Sequence, residues 1–417
     1  HISGVDIALI KHTFQFNYHQ DISFYNFNQS DIKYNHIDYQ HKEFENNVNN
    51  FAVSLSKKTH SLKIEFSSSH SIIGSELNYK NFMAGGFYWT PETDEIDKSI
   101  YGFHERKIRN INVLGSFRFG YLSIKPKVNN TYYSNLNIEE IQTRKFKYFS
   151  SSIGFKKIIN KLEINNWIMN TMKAPRIEEL YSDGPHLGSY SYEIGQPNLE
   201  LEKIYGLESS IRYNSNPLHL SLTTFYNYSP YYYQMTKMGD CPEALGWDPL
   251  SGTSHPCAGE DFIEWGAGDT GWLYKYQTQG VESVVKGMEL NLSYHINNIE
   301  ILYDFSLVRG DNLTAKRPLS YINPTKQILS IAYVKKMMNY NIRLTKIHKQ
   351  NRLGEFETYT PSAFVMDFVL AYDYKNQNIT VQLNNLFNEE YYNHLSKIKM
   401  IMPEPGRNIT ISYNLFF

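Results

Sequence analysis

Segments of strict apolar–polar alternation, connections that are alternately short and long, and the lack of any apolar run near the ~20 residues a membrane helix needs predict an all-β fold, a transmembrane antiparallel β-barrel. The C-terminus shows the alternation most clearly. Ile409, Ile411, Tyr413, Leu415 and Phe417 share one face, and Asn408, Thr410, Ser412 and Asn414 the other, because a strand reverses side-chain direction at every residue. The same pattern sets Met288, Leu290, Leu292 and Tyr294 against Glu289, Asn291, Ser293 and His295, and Ile379, Val381 and Leu383 against Asn378, Thr380 and Gln382. Such segments run to roughly ten residues, enough for a tilted strand crossing a bilayer (~9–11), whereas soluble strands average ~5–6.

The connections sort by length. Short polar ones fall near 19–21, 68–70, 109–110, 159–161, 214–217, 297–298, 337–339 and 375–377, and long ones over 35–57, 85–97, 127–144, 174–201, 235–272, 310–323, 351–361 and 388–405. Outer-membrane barrels place short turns in the periplasm and long loops outside. The segments number about seventeen, whereas single-chain bacterial barrels usually have an even count, so strands are expected to be missing or miscounted. A barrel of this width keeps an open lumen, so Glu208, Arg212, Glu289, Asp304 and Asp367 on the polar faces would meet water or a plug.

Bulk composition agrees and excludes other classes. Tyr (34) and Phe (24) supply most of a 15% aromatic content, and Lys plus Arg (41) nearly balance Asp plus Glu (42). With no net basic field, nucleic-acid binding has no support. Cys241 and Cys257 lie in one Gly/Pro-rich segment, as a loop disulfide would in an oxidising compartment; two unrelated free thiols is the other reading. No Gly-x-Ser-x-Gly elbow, phosphate loop or His-Glu-x-x-His helix occurs, so no enzyme is expected. The chain starts at His1 without a secretory signal, which suggests a processed or partial sequence.

Two long motifs carry a family resemblance. The run Arg176-Ile177-Glu178-Glu179-Leu180-Tyr181, followed by Glu193-Ile194-Gly195-Gln196-Pro197-Asn198-Leu199-Glu200, resembles a loop typical of TonB-dependent receptors. The ending Asn384-Asn385-Leu386-Phe387 through Pro403-Glu404-Pro405-Gly406-Arg407 to Phe417 is similar to the close of these receptors, whose last aromatic serves the barrel assembly machinery. A weaker match, Tyr34 to Glu45, is similar to a segment in receptors of the zinc and metal-complex uptake type. The resemblance implies a Gram-negative outer-membrane receptor embedded in the lipid bilayer and energised through TonB. It also implies an N-terminal plug, a TonB-pairing segment and a barrel of about 22 strands. The plug, the segment and about five strands have no counterpart here, so residues 1–417 are expected to be the barrel portion of a longer receptor. The alternative is a passive porin-like channel; a soluble β-sandwich is a third reading.

Imidazoles and carboxylates in long loops suit zinc and related metals. The candidates are His36, Asp38, His41 and Glu43; Asp183, His186 and Glu193; and Asp240, His255, Glu260, Asp261 and Glu264. His186 leads, because the family-like loop would hold it above the lumen; simple solvation is the competing reading for each. The expected cargo is a metal ion or metal complex, zinc, siderophore-iron or haem, with no permanently bound cofactor. Trp247, Trp265 and Trp272 on the cysteine loop could touch a ligand or outer lipid, or merely stiffen it. Tyr226, Tyr228, Tyr231 to Tyr233, Tyr391 and Tyr392 read as interfacial girdles.

Overall fold

The computed structural model describes residues 5–45, 51–86, 88–128, 135–186, 191–244, 247, 253–265, 272–355, 357–396, 399 and 402–416. Its strands, in chain order, are β1 (Val5–Phe24), β2 (Phe27–Glu45), β3 (Val53–Ser67), β4 (Ser71–Gly86), β5 (Thr90–Ile108), β6 (Ile111–Lys127), β7 (Arg144–Ile159), β8 (Leu162–Lys173), β9 (Asp183–His186), β10 (Ser191–Ile194) and β11 (Glu202–Ser215). There follow β12 (Leu218–Lys237), β13 (Ile263–Trp265), β14 (Trp272–Ile296), β15 (Ile299–Asn312), β16 (Arg317–Pro318), β17 (Lys326–Lys335), β18 (Met338–Ile347), β19 (Ala363–Tyr374), β20 (Gln377–Asn384) and β21 (Asn408–Leu415). One five-residue helix, α1 (Ile177–Tyr181), lies in the connection after β8. No helix among the described residues is long and apolar enough to cross a membrane.

Four of the 21 strands, β9, β10, β13 and β16, are short pieces inside loops; the other seventeen form one antiparallel wall, each paired with its chain neighbour in that set. Among the described residues β1 pairs only with β2 and β21 only with β20, so the wall is not closed. Its sixteen antiparallel steps, an even number, make β1 and β21 run in the same direction. Phe417 lies outside the described residues.

The two faces differ as a membrane wall requires. On one, Ile100, Ile168, Leu207 and Ile411 are 54%, 53%, 54% and 70% exposed, an arrangement that water would penalise and lipid accepts. On the other, Lys63 pairs with Glu65 at 2.8 Å, the Tyr101 hydroxyl donates to Glu65 at 2.8 Å, and Arg118 meets Glu76 at 2.8 Å. The predicted inward charges belong to this face: Arg212 lies 3.2 Å from Glu163, and Asp304 accepts from Asn291 at 2.7 Å.

Seven hairpins turn on two residues; one is Asn216-Pro217, and the other six, starting at Tyr25, Arg109, Asn160, Asn297, Lys336 and Lys375, are left-handed at that residue with φ of 49° to 56°. This geometry matches the twist of the flanking strands. Three connections differ from the sequence reading. The first turn is Tyr25-Asn26, because β1 continues past the irregularity between Asp21 and Phe24. The loops expected at 35–57 and 85–97 are mostly strand, since β2 runs to Glu45 and β5 starts at Thr90. There the strands outrun the lipid, and polar residues pair across them, Lys80 with Glu95 at 2.8 Å and Asn81 with Asp94 at 2.8 Å. Polarity marked the exit from the membrane and not the end of the strand.

Candidate ligand-binding site at the lumen mouth

The main buried cluster lies where the 174–201 connection folds against the polar face of the wall. Ile177, Leu180 and Tyr181 of α1, with Leu199, are at most 1% exposed and pack with Phe82, Leu122, Ile124 and Phe146 from β4, β6 and β7. The helix is short because Pro175 precedes it and Ser182 is extended; at its start the Glu179 carboxylate accepts from the Arg176 N–H at 2.7 Å. The Gly195 N–H donates to Ser182 O at 2.7 Å and Gln196 N–H to Glu179 O at 2.8 Å, folding the second half of the motif back on the first. Arg144 of β7 donates to the carbonyls of Pro197 and Leu199, and the Tyr181 hydroxyl donates to Gln142 O at 2.8 Å. The family-like motif is thus a packed inward platform.

On this platform β9 and β10 form a small hairpin, with Ser191 opposite His186 and Glu193 opposite Gly184. Its second strand adds in parallel to β14, Tyr192 opposite Lys275. His186 Nδ1 lies 3.0 Å from Glu193 Oε1, and the His186 ring is 6.2 Å from that of Tyr88. The imidazole is 58% exposed while Glu193 is mostly covered, so the pair sets a solvent-facing imidazole beside a held carboxylate. Burial, with Glu193 close by, pushes the Tyr88 hydroxyl above its ordinary range. Burial also pushes Tyr321 up to about 12, Glu357 and Glu193 contributing.

The other predicted ligands distribute differently. Asp183 is buried, its carboxylate accepting from the Asn135 backbone N–H at 2.6 Å and side-chain amide at 3.1 Å. His36, Asp38, His41 and Glu43 stand on strand β2 and not in a loop, and alternation puts the first two on the face opposite the last two. His36 packs, tilted, against the register-paired His60 with ring centroids 4.4 Å apart, and His41 lies 3.1 Å from Glu43.

Cys241 and Cys257 are joined as a disulfide with Cα atoms 6.2 Å apart. His255 lies beside them, its ring between Trp247 at 4.6 Å and Tyr274 at 5.1 Å. Burial, then Lys237, lowers its pKa. Asp240 pairs with Lys237 and Glu264 with Lys275. The loop's aromatics thus build a small core of their own; the Trp265 side chain is outside the described residues.

Sequence reasoning missed a second cluster. His394 Nε2 lies 2.9 Å from Glu357 Oε1, both nearly inaccessible, while Thr360 Oγ1 is 2.8 Å from His394 Nδ1 and accepts from Lys399 Nζ at 2.6 Å. It ties the 351–361 and 388–405 loops together above a polar cavity of about 850 Å³ lined by Glu289, Lys326, Arg343 and Asp367. Burial alone would raise the Glu357 pKa, but His394 and the N–H groups of Gly354 and Tyr321 hold it below the usual carboxylate range. Only the polar residues between Tyr391 and Lys399 signalled it, and each reads alone as solvated loop.

The family model described as TonB dependent receptor-like, beta-barrel matches residues 5–386. Among solved structures, the chain is similar to the copper transporter OprC (TM-score 0.77, 14% identity, 98% of this chain and 65% of that one). It is also similar to the FrpB iron transporter of Neisseria meningitidis (F5-1 variant; 0.68, 11%, 97% and 63%). A third is the Serratia marcescens hemophore receptor HasR, solved with its hemophore HasA and heme (0.66, 10%, 99% and 66%). At these identities the likeness shows the fold, and the chain spans about 65% of the OprC length. With a matched family model over almost the whole described wall, the chain belongs to the TonB-dependent receptor β-barrel family.

Proposed function

We propose that this chain is the barrel of an outer-membrane receptor that captures a metal ion or metal complex at its extracellular mouth, for import energised through TonB by way of a plug. The His186–Glu193 pair carries the reading: an exposed imidazole held beside a carboxylate, on a platform that the family-like motif packs rigidly inside the wall. Such a nitrogen and oxygen pair suits zinc or a similar borderline cation, and Tyr88 adds an aromatic side to a larger complex. The copper, iron and heme named for three similar structures support the cargo class.

The test is Zn²⁺ titration of the full-length receptor by calorimetry, comparing wild type with His186→Ala and Glu193→Gln. Each variant should weaken binding roughly tenfold or more, corresponding to about 1.4 kcal/mol. Wild-type affinity in both would sink the site. A porin-like channel instead predicts steady ion conductance of the full-length protein in planar bilayers, which a plugged receptor does not give.

A further inference from the structure

On the outward face, one row of register partners crosses five strands: Ile168 of β8, Leu207 of β11, Tyr226 of β12, Lys286 of β14 and Arg309 of β15. The first three are 53%, 54% and 45% exposed, and both cations are exposed. A groove of about 750 Å³ runs along this row and over the apolar pair Met288 and Leu307 beneath it.

Two features of the row call for an occupant. Lys286 and Arg309 are directly opposed across strands, a placement in which like charges destabilise a sheet. The acidic residues nearest in sequence on the same face are engaged elsewhere, Glu282 by the Tyr228 hydroxyl at 2.7 Å and Asp311 by Arg352 at 2.5 Å. An anion between the two cations would remove the repulsion. The second feature is height. Arg309 stands ten residues above Ile299, where β15 leaves its short turn. That is roughly 33 Å along the strand, or about 25 Å vertically at the usual tilt, which is the height of the lipid-facing band. Below Lys286 and Arg309 the outward partners are Met288 with Leu307, Leu290 with Phe305 and Leu292 with Tyr303. Two cations therefore cap an apolar column at the outer-leaflet interface.

We propose that this groove binds a phosphorylated, multiply acylated lipid of the outer leaflet, with acyl chains against Ile168, Leu207 and Met288 and a phosphate between Lys286 and Arg309. The proposal rests on the outer-membrane placement above, but not on the metal site. A phosphate suits this pair because guanidinium offers a two-pronged donor set and ammonium a point charge. Tyr226, in the same row, places an amphipathic ring where headgroup and chain meet.

The test uses the delipidated full-length receptor in detergent, titrated by native mass spectrometry with diphosphorylated lipid A, with the same lipid after phosphatase treatment, and with inorganic phosphate. The wild type should bind the diphosphorylated lipid, lose most of that binding with the dephosphorylated one, and not be saturated by inorganic phosphate at matched concentration. K286A/R309A should bind roughly 30-fold more weakly, at about tenfold per 1.4 kcal/mol and about 1 kcal/mol per cation. Leu207→Asn should also weaken binding, and Lys157→Ala, an outward cation at the other end of β7, should not. Heat-modifiable gel mobility verifies folding, and K286Q/R309Q is the substitute if the alanine pair fails to assemble. Binding by the folded double variant within about twofold of wild type would overturn the lipid site, as would full competition by inorganic phosphate. His186→Ala should leave lipid binding intact, so a failed metal titration and a failed lipid titration are separate results. Fractionation of the receptor away from the outer membrane would remove the premise.

Discussion

Gly195 lies against the Leu180–Tyr181 peptide so closely that a Cβ on it would stand 2.4 Å from the Leu180 carbonyl carbon. The contact is backbone on backbone, with no flexible side chain to yield. It locks the returning half of the motif onto α1 and so fixes the hairpin that carries His186 and Glu193.

Gly195→Ala should therefore act on the platform and not on the wall. Overpacking of this kind costs about 1–3 kcal/mol. The expected result is a faster proteolytic nick between α1 and β11 and weaker metal binding, with heat-modifiable mobility unchanged. A variant as protected as wild type would show that the platform relaxes without cost.

Asp183 is expected to serve the fold more than the ligand. Its carboxylate accepts from the backbone N–H and side-chain amide of Asn135, and removing a buried hydrogen-bond partner costs about 1–3 kcal/mol. Asp183→Ala should lower the thermal midpoint, whereas Asp183→Asn, which retains an acceptor oxygen, should keep the zinc affinity near wild type. A loss of zinc affinity in a stable Asp183→Asn protein would make it a ligand.

These residues show where sequence reading succeeds and where it stops. Alternation revealed seventeen wall strands because lipid and lumen impose opposite polarity on successive residues, a demand no loop contact can override. The same rule misplaced the loops at 35–57 and 85–97, since strands that leave the lipid keep hydrogen bonding while losing their apolar face. His186 and Glu193 stood out in the sequence because they lie in a motif of recognisable spacing, and the structure sets them 3.0 Å apart. Glu357, His394 and Lys399 were not, because burial here is produced by two loops meeting across more than thirty residues of chain. The hydrogen bonds of Asp183 were hidden for the same reason: its partner, Asn135, is 48 residues away.

The Cys241–Cys257 disulfide spans 16 residues of sequence. On the chain-entropy account, closing a loop of this size contributes ~3 kcal/mol. Because the loop has its own aromatic core around His255, the effect should be local. C241S/C257S should raise protease cleavage between 242 and 256 while the global thermal midpoint moves little. A large fall in the midpoint would mean that this loop braces the wall.

Acid should loosen the contact between the 351–361 and 388–405 loops. Burial opposes ionisation of Glu357, but His394 and the N–H groups of Gly354 and Tyr321 outweigh it and leave the folded pKa below the ordinary 4.5. A carboxyl with a depressed folded pKa binds fewer protons folded than unfolded, so stability falls as pH falls. The contribution is fully present above the ordinary value and is lost as pH drops through the folded one. Lys399, whose pKa is lowered first by burial and only partly restored by Glu357, adds a penalty in its charged form that is relieved as pH rises through its folded value. Glu357 therefore makes the loop pair weaker on the acid side. Hydrogen exchange at Gly354 and Tyr321 should accelerate, relative to the intrinsic rate, between neutral pH and pH values under the ordinary carboxylate range. Glu357→Gln should exchange faster already at neutral pH and lose most of the acid dependence. An acid dependence that persists unchanged in Glu357→Gln would assign it to other groups.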